Sequence, residues 1–184
     1  TGALMVMSKM TLGTLEGIKR PAIVNVFPSI KKGTVILDLG ANADCDPSTL
    51  FQFALMGTCF AKIVLEVKAP SIGILNVGTE DYKGREVEKK TYELLKNSSL
   101  NFYGNVEGYD LTNGTVDVIV TDGFTGNIAI KVSEGTAKIC QDFIKQAFKS
   151  SFIAKLAGII TKKHFKKVLE KVDPRNHNGA MFIG

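Results

Sequence analysis

Short apolar runs rich in β-branched residues alternate along this chain with stretches of helical period. That alternation is what most constrains the fold. The runs are "AIVNVF" (22–27), "TVILDLG" (34–40), "SIGILNVG" (71–78), "LNFYGNV" (100–106) and "VDVIVTDG" (116–123). Between them, Pro47-Ser48 opens a segment with apolar positions at Leu50, Phe53, Ala54 and Ala61. In "KGREVEKKTYELLKN", Val87, Thr91, Leu94 and Leu95 share one helical face. Near-continuous apolar strands suit a sheet covered on both faces, so the pattern predicts an α/β fold with a mostly parallel sheet. Pro21 and Pro28 bracket the first run, which suits an edge or a short strand. With 184 residues, 45% of them hydrophobic, the chain suffices for one compact domain or a large piece of a bigger one.

Four of the runs end alike. "LDLGANAD" supplies Asp38, Gly40, Asn42 and Asp44; "LNVGTE" supplies Asn76, Gly78 and Glu80. "YGNVEG" supplies Gly104, Asn105 and Glu107, and "TDGFTGN" supplies Asp122, Gly123, Thr125, Gly126 and Asn127. Each is also an ordinary turn composition. In a parallel sheet, however, the carboxyl ends of the strands share one edge, where ligands bind. Four polar, glycine-lined ends on that edge predict one cleft.

The last of these ends carries the most chemistry. Ile128, Val132, Gly135, Ile139 and Phe143 follow it at helical spacing, which makes Thr125-Gly126-Asn127 a first helical turn. Free backbone N–H groups and the positive end of the helix dipole bind anions there. Gly123, Thr125, Gly126 and Asn127 are thus a candidate phosphate cradle, in which Gly126→Val is expected to cost rate but little stability. Neither a P-loop nor a dinucleotide fingerprint occurs anywhere.

Charge is concentrated rather than spread. Residues 151–172 hold six lysines and one glutamate, which accounts for the whole net charge of +5. Such a patch suits nucleic acid, an anionic membrane surface or an acidic protein. The chain has no Trp and no nucleic-acid-reading motif, so nucleic acid is not expected. Three cysteines without a Cys-x-x-Cys pair, and His164 and His177 far apart, suggest neither a disulfide framework nor a zinc site; a reducing cytosol fits. No apolar run is long enough to span a membrane, and the first ten residues lack signal-peptide features.

Taken together, "TGALM", "IKRPAI", "LDLGANADC", "FALMG", "LNVGTE", "KGREV", "GNVEG" and "DGFTGN" resemble the phosphate acyltransferase (PlsX) family of bacterial phospholipid synthesis. The resemblance implies a three-layer α/β/α sandwich similar to isopropylmalate dehydrogenase and phosphotransacetylase, and a homodimer. It implies transfer of a fatty acyl group from acyl carrier protein to inorganic phosphate, giving acyl-phosphate, without a cofactor. It makes this chain the middle and later part of such a protein: one α/β catalytic domain over 1–184, incomplete at both ends. Two enzyme alternatives share the fold, a phosphotransacetylase-like enzyme acting on coenzyme A thioesters and, less expected without a dinucleotide motif, a hydroxyacid dehydrogenase. A non-catalytic module docking carrier protein or membrane is the alternative of a different class.

Under this reading Asn42, Asn76, Asn105 and Asn127 are positioning groups, or caps of their own turns. Asp44, Glu80, Glu107 and Asp122 orient donors or shuttle a proton, or are loop acids. Asp38, Asp44 and Asp122 offer oxygen ligands, but no metal is expected. Cys45, between Asp44 and Asp46, is expected to stay a structural thiol. Lys83 and Arg85 are candidates for meeting the carrier protein or its pantetheine phosphate, or are solvated charges at a helix start; Lys19 and Arg20 are weaker candidates. In 150–172, Phe152, Ile153, Leu156, Ile159 and Ile160 fall on one face and Phe165, Val168, Leu169 and Val172 on the other. A break near Gly158 to Lys163 is therefore expected, giving an amphipathic helical pair. Phe152, Leu156, Ile159, Ile160, Lys162, Lys163, Lys166 and Lys167 are its candidate membrane-binding residues, placing the protein in the cytoplasm against the inner face of the plasma membrane. The alternative is that the pair packs on a partner subunit.

Overall fold

The computed structural model describes the backbone of residues 2–172 and 180–182 and the side chains of residues 7–166. In chain order the elements are α1 (Gly2–Leu12), β1 (Ala22–Phe27), β2 (Thr34–Leu37), α2 (Pro47–Val64), β3 (Ile72–Leu75) and α3 (Glu86–Lys96). There follow β4 (Phe102–Val106), α4 (Asp110–Asn113), β5 (Val118–Val120), α5 (Gly123–Lys149), α6 (Phe152–Val172) and β6 (Ala180–Phe182). Two compact units are present, residues 1–128 with 179–184, and residues 129–178.

The first unit is built on a six-stranded sheet in the order β4-β3-β5-β2-β1-β6. β2 pairs parallel with β5, β5 with β3 and β3 with β4, whereas β1 runs antiparallel to both β2 and β6. Every residue of β2, β3 and β5 is buried, which is why these strands read as unbroken apolar runs. Pro21 and Pro28 do bracket a short strand, but β1 is not an edge: β6 covers it from Ala22↔Phe182 to Val24↔Ala180.

α2 starts where Asp46 accepts the Thr49 N–H at 2.7 Å, with Pro47 in the first turn. Its Leu50, Phe53, Ala54 and Ala61 join Val35, Leu37, Val118 and Val120 in the core. The helix lies so close to the sheet that a Cβ at Gly57 would come within 2.6 Å of Val118 and 2.9 Å of Leu37. On α3, Thr91 and Leu95 are buried and Val87 packs against the core; Leu94 is exposed, and Glu88 is buried instead.

In the second unit α6 is continuous, without the break expected at Gly158 to Lys163. The break falls at Ser150-Ser151, where Ser150 Oγ donates to the Ala147 carbonyl and Ser151 Oγ accepts the Ala154 N–H. The helical pair is therefore α5 with α6, not two halves of 150–172. Phe165 meets Phe148 of α5 edge to face at 5.0 Å, and Gly158 sits against the same ring. α5 thus meets α6 at Phe165 and Gly158; the side chains of Val168, Leu169 and Val172, expected on the same face as Phe165, lie outside the described residues. The other face, with Phe152, Ile153, Leu156, Ile159 and Ile160, is exposed. Lys162 and Lys163 are exposed beside it, and the Lys167 side chain lies outside the described residues. No helix among the described residues is long and apolar enough to cross a membrane.

Candidate functional site at the strand ends

Because β2, β5, β3 and β4 are mutually parallel, their polar carboxyl ends fall on one edge, as the sequence pattern predicts. What those residues do there differs in several places from the expectation.

The end of β2 is a closed knot. Asp38 is fully buried, and its carboxyl oxygens accept four bonds: from Ile23 N at 2.9 Å, Ala41 N at 3.1 Å, Asn42 N at 2.6 Å and Asn42 Nδ2 at 2.9 Å. Asn42 Nδ2 also donates to the Pro21 carbonyl at 2.8 Å. Asn42 is a clasp between loops, and Asp38 has little left for a metal. No group of three or more His, Cys, Asp or Glu among the described residues is arranged to hold one. Asp44 is exposed, and its carbonyl accepts from Arg20. Lys19 turns to Ser48 and Asp46 at the start of α2. Burial first, then the nearby Asp38 and Asp122, push the Cys45 thiol up to about 12. It stays a thiol, as expected, but not because of its sequence neighbours.

The asparagines of β3 and β4 hold the 77–85 loop. Asn76 accepts the Val77 N–H at 2.8 Å and donates to the Lys83 carbonyl at 3.1 Å. Gly84, at φ +88°, packs directly on the Asn76 amide and leaves no space for a side chain. Asn105 is buried and donates to the Glu80 carbonyl at 2.8 Å, while its Oδ1 has no partner. Glu80 is exposed, Glu107 accepts from the Tyr109 hydroxyl at 2.8 Å, and the Lys83 ammonium lies 5.7 Å from the Tyr82 ring centre.

At the start of α5, Asp122 caps the helix by accepting the Thr125 N–H at 2.7 Å. Gly123 N donates to the Asn42 carbonyl at 2.7 Å, and Gly126 N to the Asp122 carbonyl at 3.0 Å. Three N–H groups expected to be free for an anion are thus taken by protein acceptors. The Thr125 side chain also bonds Asp122, so the Phe124 N–H, for which no bond is described, and the side chain of Asn127 remain. Asn127 is exposed beside Gly40. Gly123 and Gly126 are buried because the loops press on them: a Cβ at either would strike Asn42 or Asp38.

Arg85 does not project toward solvent like a loose helix-start charge. Its Nε and Nη2 bond Glu88, and Nη2 also bonds Asp122, so one guanidinium joins two buried carboxylates. Glu88 completes a capping box by accepting the Arg85 N–H at 2.8 Å. Burial works against the Asp122 charge, but the Thr125 N–H and Arg85 outweigh it and hold the carboxyl below the usual carboxylate range. Leu75, Asn76, Val77, Gly84, Arg85, Glu88 and Thr125 line a cleft of about 300 Å³ here. The fold thus brings Asn76, Arg85 and Thr125 together beside Asp122, while Asp44, Glu107 and Tyr109 are not among the residues that line the cleft. Sequence reading missed Glu88, whose signal was the Arg-x-x-Glu spacing, and placed Asp38 among the polar strand ends without its role as the centre of a buried knot.

Removing the cation tests this arrangement. Asp122 binds its proton less tightly than an ordinary carboxyl of pKa about 3.9. Its stabilising contribution is therefore fully present above that value and is lost as pH falls through the lowered folded one. Breaking a fully buried pair costs about 3–5 kcal/mol, but Arg85 is more than half exposed and water replaces part of it. Arg85→Ala should then lose roughly 1–3 kcal/mol at neutral pH. The gap from wild type should close in acid, as read by urea unfolding; a gap independent of pH would remove Asp122 from the account.

An open, mostly parallel α/β sheet with a polar, glycine-lined carboxyl edge defines the class: α/β proteins that bind ligands at the strand ends. More narrowly, the chain belongs to the fatty acid synthesis protein family, whose sequence model matches residues 1–184. It is 52% identical to a phosphate acyltransferase of Paramagnetospirillum magneticum over 186 residues, covering 100% of this chain and 53% of that one. A phosphate acyltransferase of Rhodospirillum centenum is likewise 52% identical, with 100% and 52% covered. The chain spans about half the length of the curated relatives it matches. Among solved structures it resembles a phosphotransacetylase from Streptococcus pyogenes, with TM-score 0.59 and 19% identity over 75% of this chain and 48% of that one. A phosphotransacetylase from Staphylococcus aureus gives 0.54 and 14% over 71% and 46%. At these identities the likeness is one of fold.

Proposed function

We propose that this chain forms part of an enzyme that transfers a fatty acyl group from acyl carrier protein to inorganic phosphate, yielding acyl-phosphate for phospholipid synthesis. The carrying observation is the match along the entire chain to relatives named phosphate acyltransferase. A phosphate oxygen attacks the thioester carbonyl, a C–O bond forms, and the tetrahedral oxyanion collapses with loss of the C–S bond and the carrier's thiolate. A thioester is already activated, so the chemistry asks for positioning and oxyanion donors more than for a nucleophilic side chain. Asn127 and the Phe124 N–H are the donors on this chain best suited to that task. Asp122, which caps α5 and pairs with Arg85, serves as a fixed charge and not as a proton shuttle.

The phosphotransacetylase-like fold keeps a second reading in play, in which the donor is a coenzyme A thioester. The two separate in one experiment. Acyl-phosphate trapped with hydroxylamine should form from palmitoyl-carrier protein only when inorganic phosphate is present, and not from acetyl-coenzyme A. Formation from the coenzyme A substrate alone would select the second reading.

The exposed stripe of α6 and its flanking lysines support peripheral attachment to an anionic membrane, with homodimerisation as the other use of the same face. Each fully inserted apolar side chain contributes roughly 1.5–3 kcal/mol. Each lysine near an anionic leaflet adds about 1 kcal/mol. The protein should sediment with anionic but not zwitterionic vesicles. Ile159→Asp, or glutamate at Lys162, Lys163, Lys166 and Lys167, should weaken sedimentation. Unchanged sedimentation in both variants would assign the face to a partner subunit.

A further inference from the structure

We propose that the cleft between the β3 and β5 ends receives the neutral, amide-bearing pantetheine arm of the acyl thioester, and that phosphate binds elsewhere; this rests on the acyl-transfer reading above. Charge decides between the two ligands. At the cleft, the buried carboxylates of the lining Glu88 and of Asp122 share the single guanidinium of Arg85. An arriving phosphate would add negative charge to a place where negative charge is already in excess, and like charges in a partly dry site repel strongly. A neutral amide carries no such penalty.

The lining suits that arm in three further respects. The Arg85 Nε and Nη2 donors are spent on carboxylates, but no bond is described for Nη1, so its two N–H groups can meet an amide carbonyl. Leu75 and Val77 give apolar contact for methylene and methyl groups. The volume, about 300 Å³, lies at the small end of ligand sites, which fits a slender arm and not a whole carrier domain. The Gly84 backbone, packed on Asn76, and the Arg85–Asp122 bridge fix two parts of the lining before anything binds.

The test titrates isotope-labelled protein with pantetheine and, separately, with inorganic phosphate, following backbone amide signals. Pantetheine should shift Val77, Arg85 and Thr125 and saturate; phosphate should leave those three unmoved. Val77 is 79% exposed, so Val77→Trp should fill the cleft without changing the melting temperature. It should weaken pantetheine binding about tenfold or more. Arg85→Lys, which keeps the charge but loses the fork, should weaken it as well. Phosphate shifting the same amides, or undiminished pantetheine binding by Val77→Trp, overturns the assignment. Acyl-phosphate formation with no pantetheine response at these amides also overturns it, and leaves the reaction standing. A pantetheine response without acyl-phosphate formation upholds the cleft and removes the reaction.

Discussion

Gly126→Val should unfold the first unit rather than merely slow a reaction. Gly126 is buried, and any Cβ there would fall inside the contact radius of the Asp38 carbonyl, with the Thr121 methyl close behind. Neither neighbour yields easily. Asp38 is held by four donors to its carboxyl group, and Thr121 is buried where β5 runs into α5. Overpacking a tight site costs about 1–3 kcal/mol, and backbone as the obstacle puts this case at or above the upper figure. Alanine should show most of the effect, because the first carbon is what collides. Urea unfolding monitored beside the acyl-phosphate assay decides the matter. A variant with native stability and no rate would restore the anion-cradle role that the sequence suggests for this glycine.

That contrast marks where sequence reading stops. β2, β3 and β5 were legible because burial on both faces leaves only apolar residues to write with, and parallel pairing then aligns their polar ends without further information. β1 looked peripheral because the strand that covers it, β6, lies more than 150 residues away in the chain. The first turn of α5 looked open because a sequence does not say where each N–H is spent; here the acceptors are Asn42 and Asp122. Arg85 reads as a carrier contact or a solvated helix-start charge, since only the fold brings Asp122 within its reach. α6 looked broken because its two apolar stripes contradict a lone helix, and a partner helix is available to it: Phe148 of α5 packs on Phe165.

Asp38→Asn should be nearly as damaging, though it preserves shape and packing almost atom for atom. In the wild type, Oδ1 accepts from Ile23 N and Ala41 N, and Oδ2 from the backbone and side chain of Asn42. An amide can keep only one of these oxygens. Its NH2 must then face a pair of N–H donors, so two bonds are lost and donors are set against donors. Each buried group left unsatisfied costs about 1–3 kcal/mol, so a total of roughly 2–6 kcal/mol is expected. The consequences extend beyond the knot, because the Asn42 carbonyl receives the Gly123 N–H at the start of α5. Hydrogen exchange should therefore quicken at Ile23, Ala41, Asn42 and Gly123 before the rest of the sheet loosens. Asn42→Ala removes one of the same donors, and in the double variant the two losses should fall short of additivity by about 0.5–3 kcal/mol. Additive losses, or a single-variant cost below about 1 kcal/mol, would mean that water satisfies these donors as well as Asp38 does.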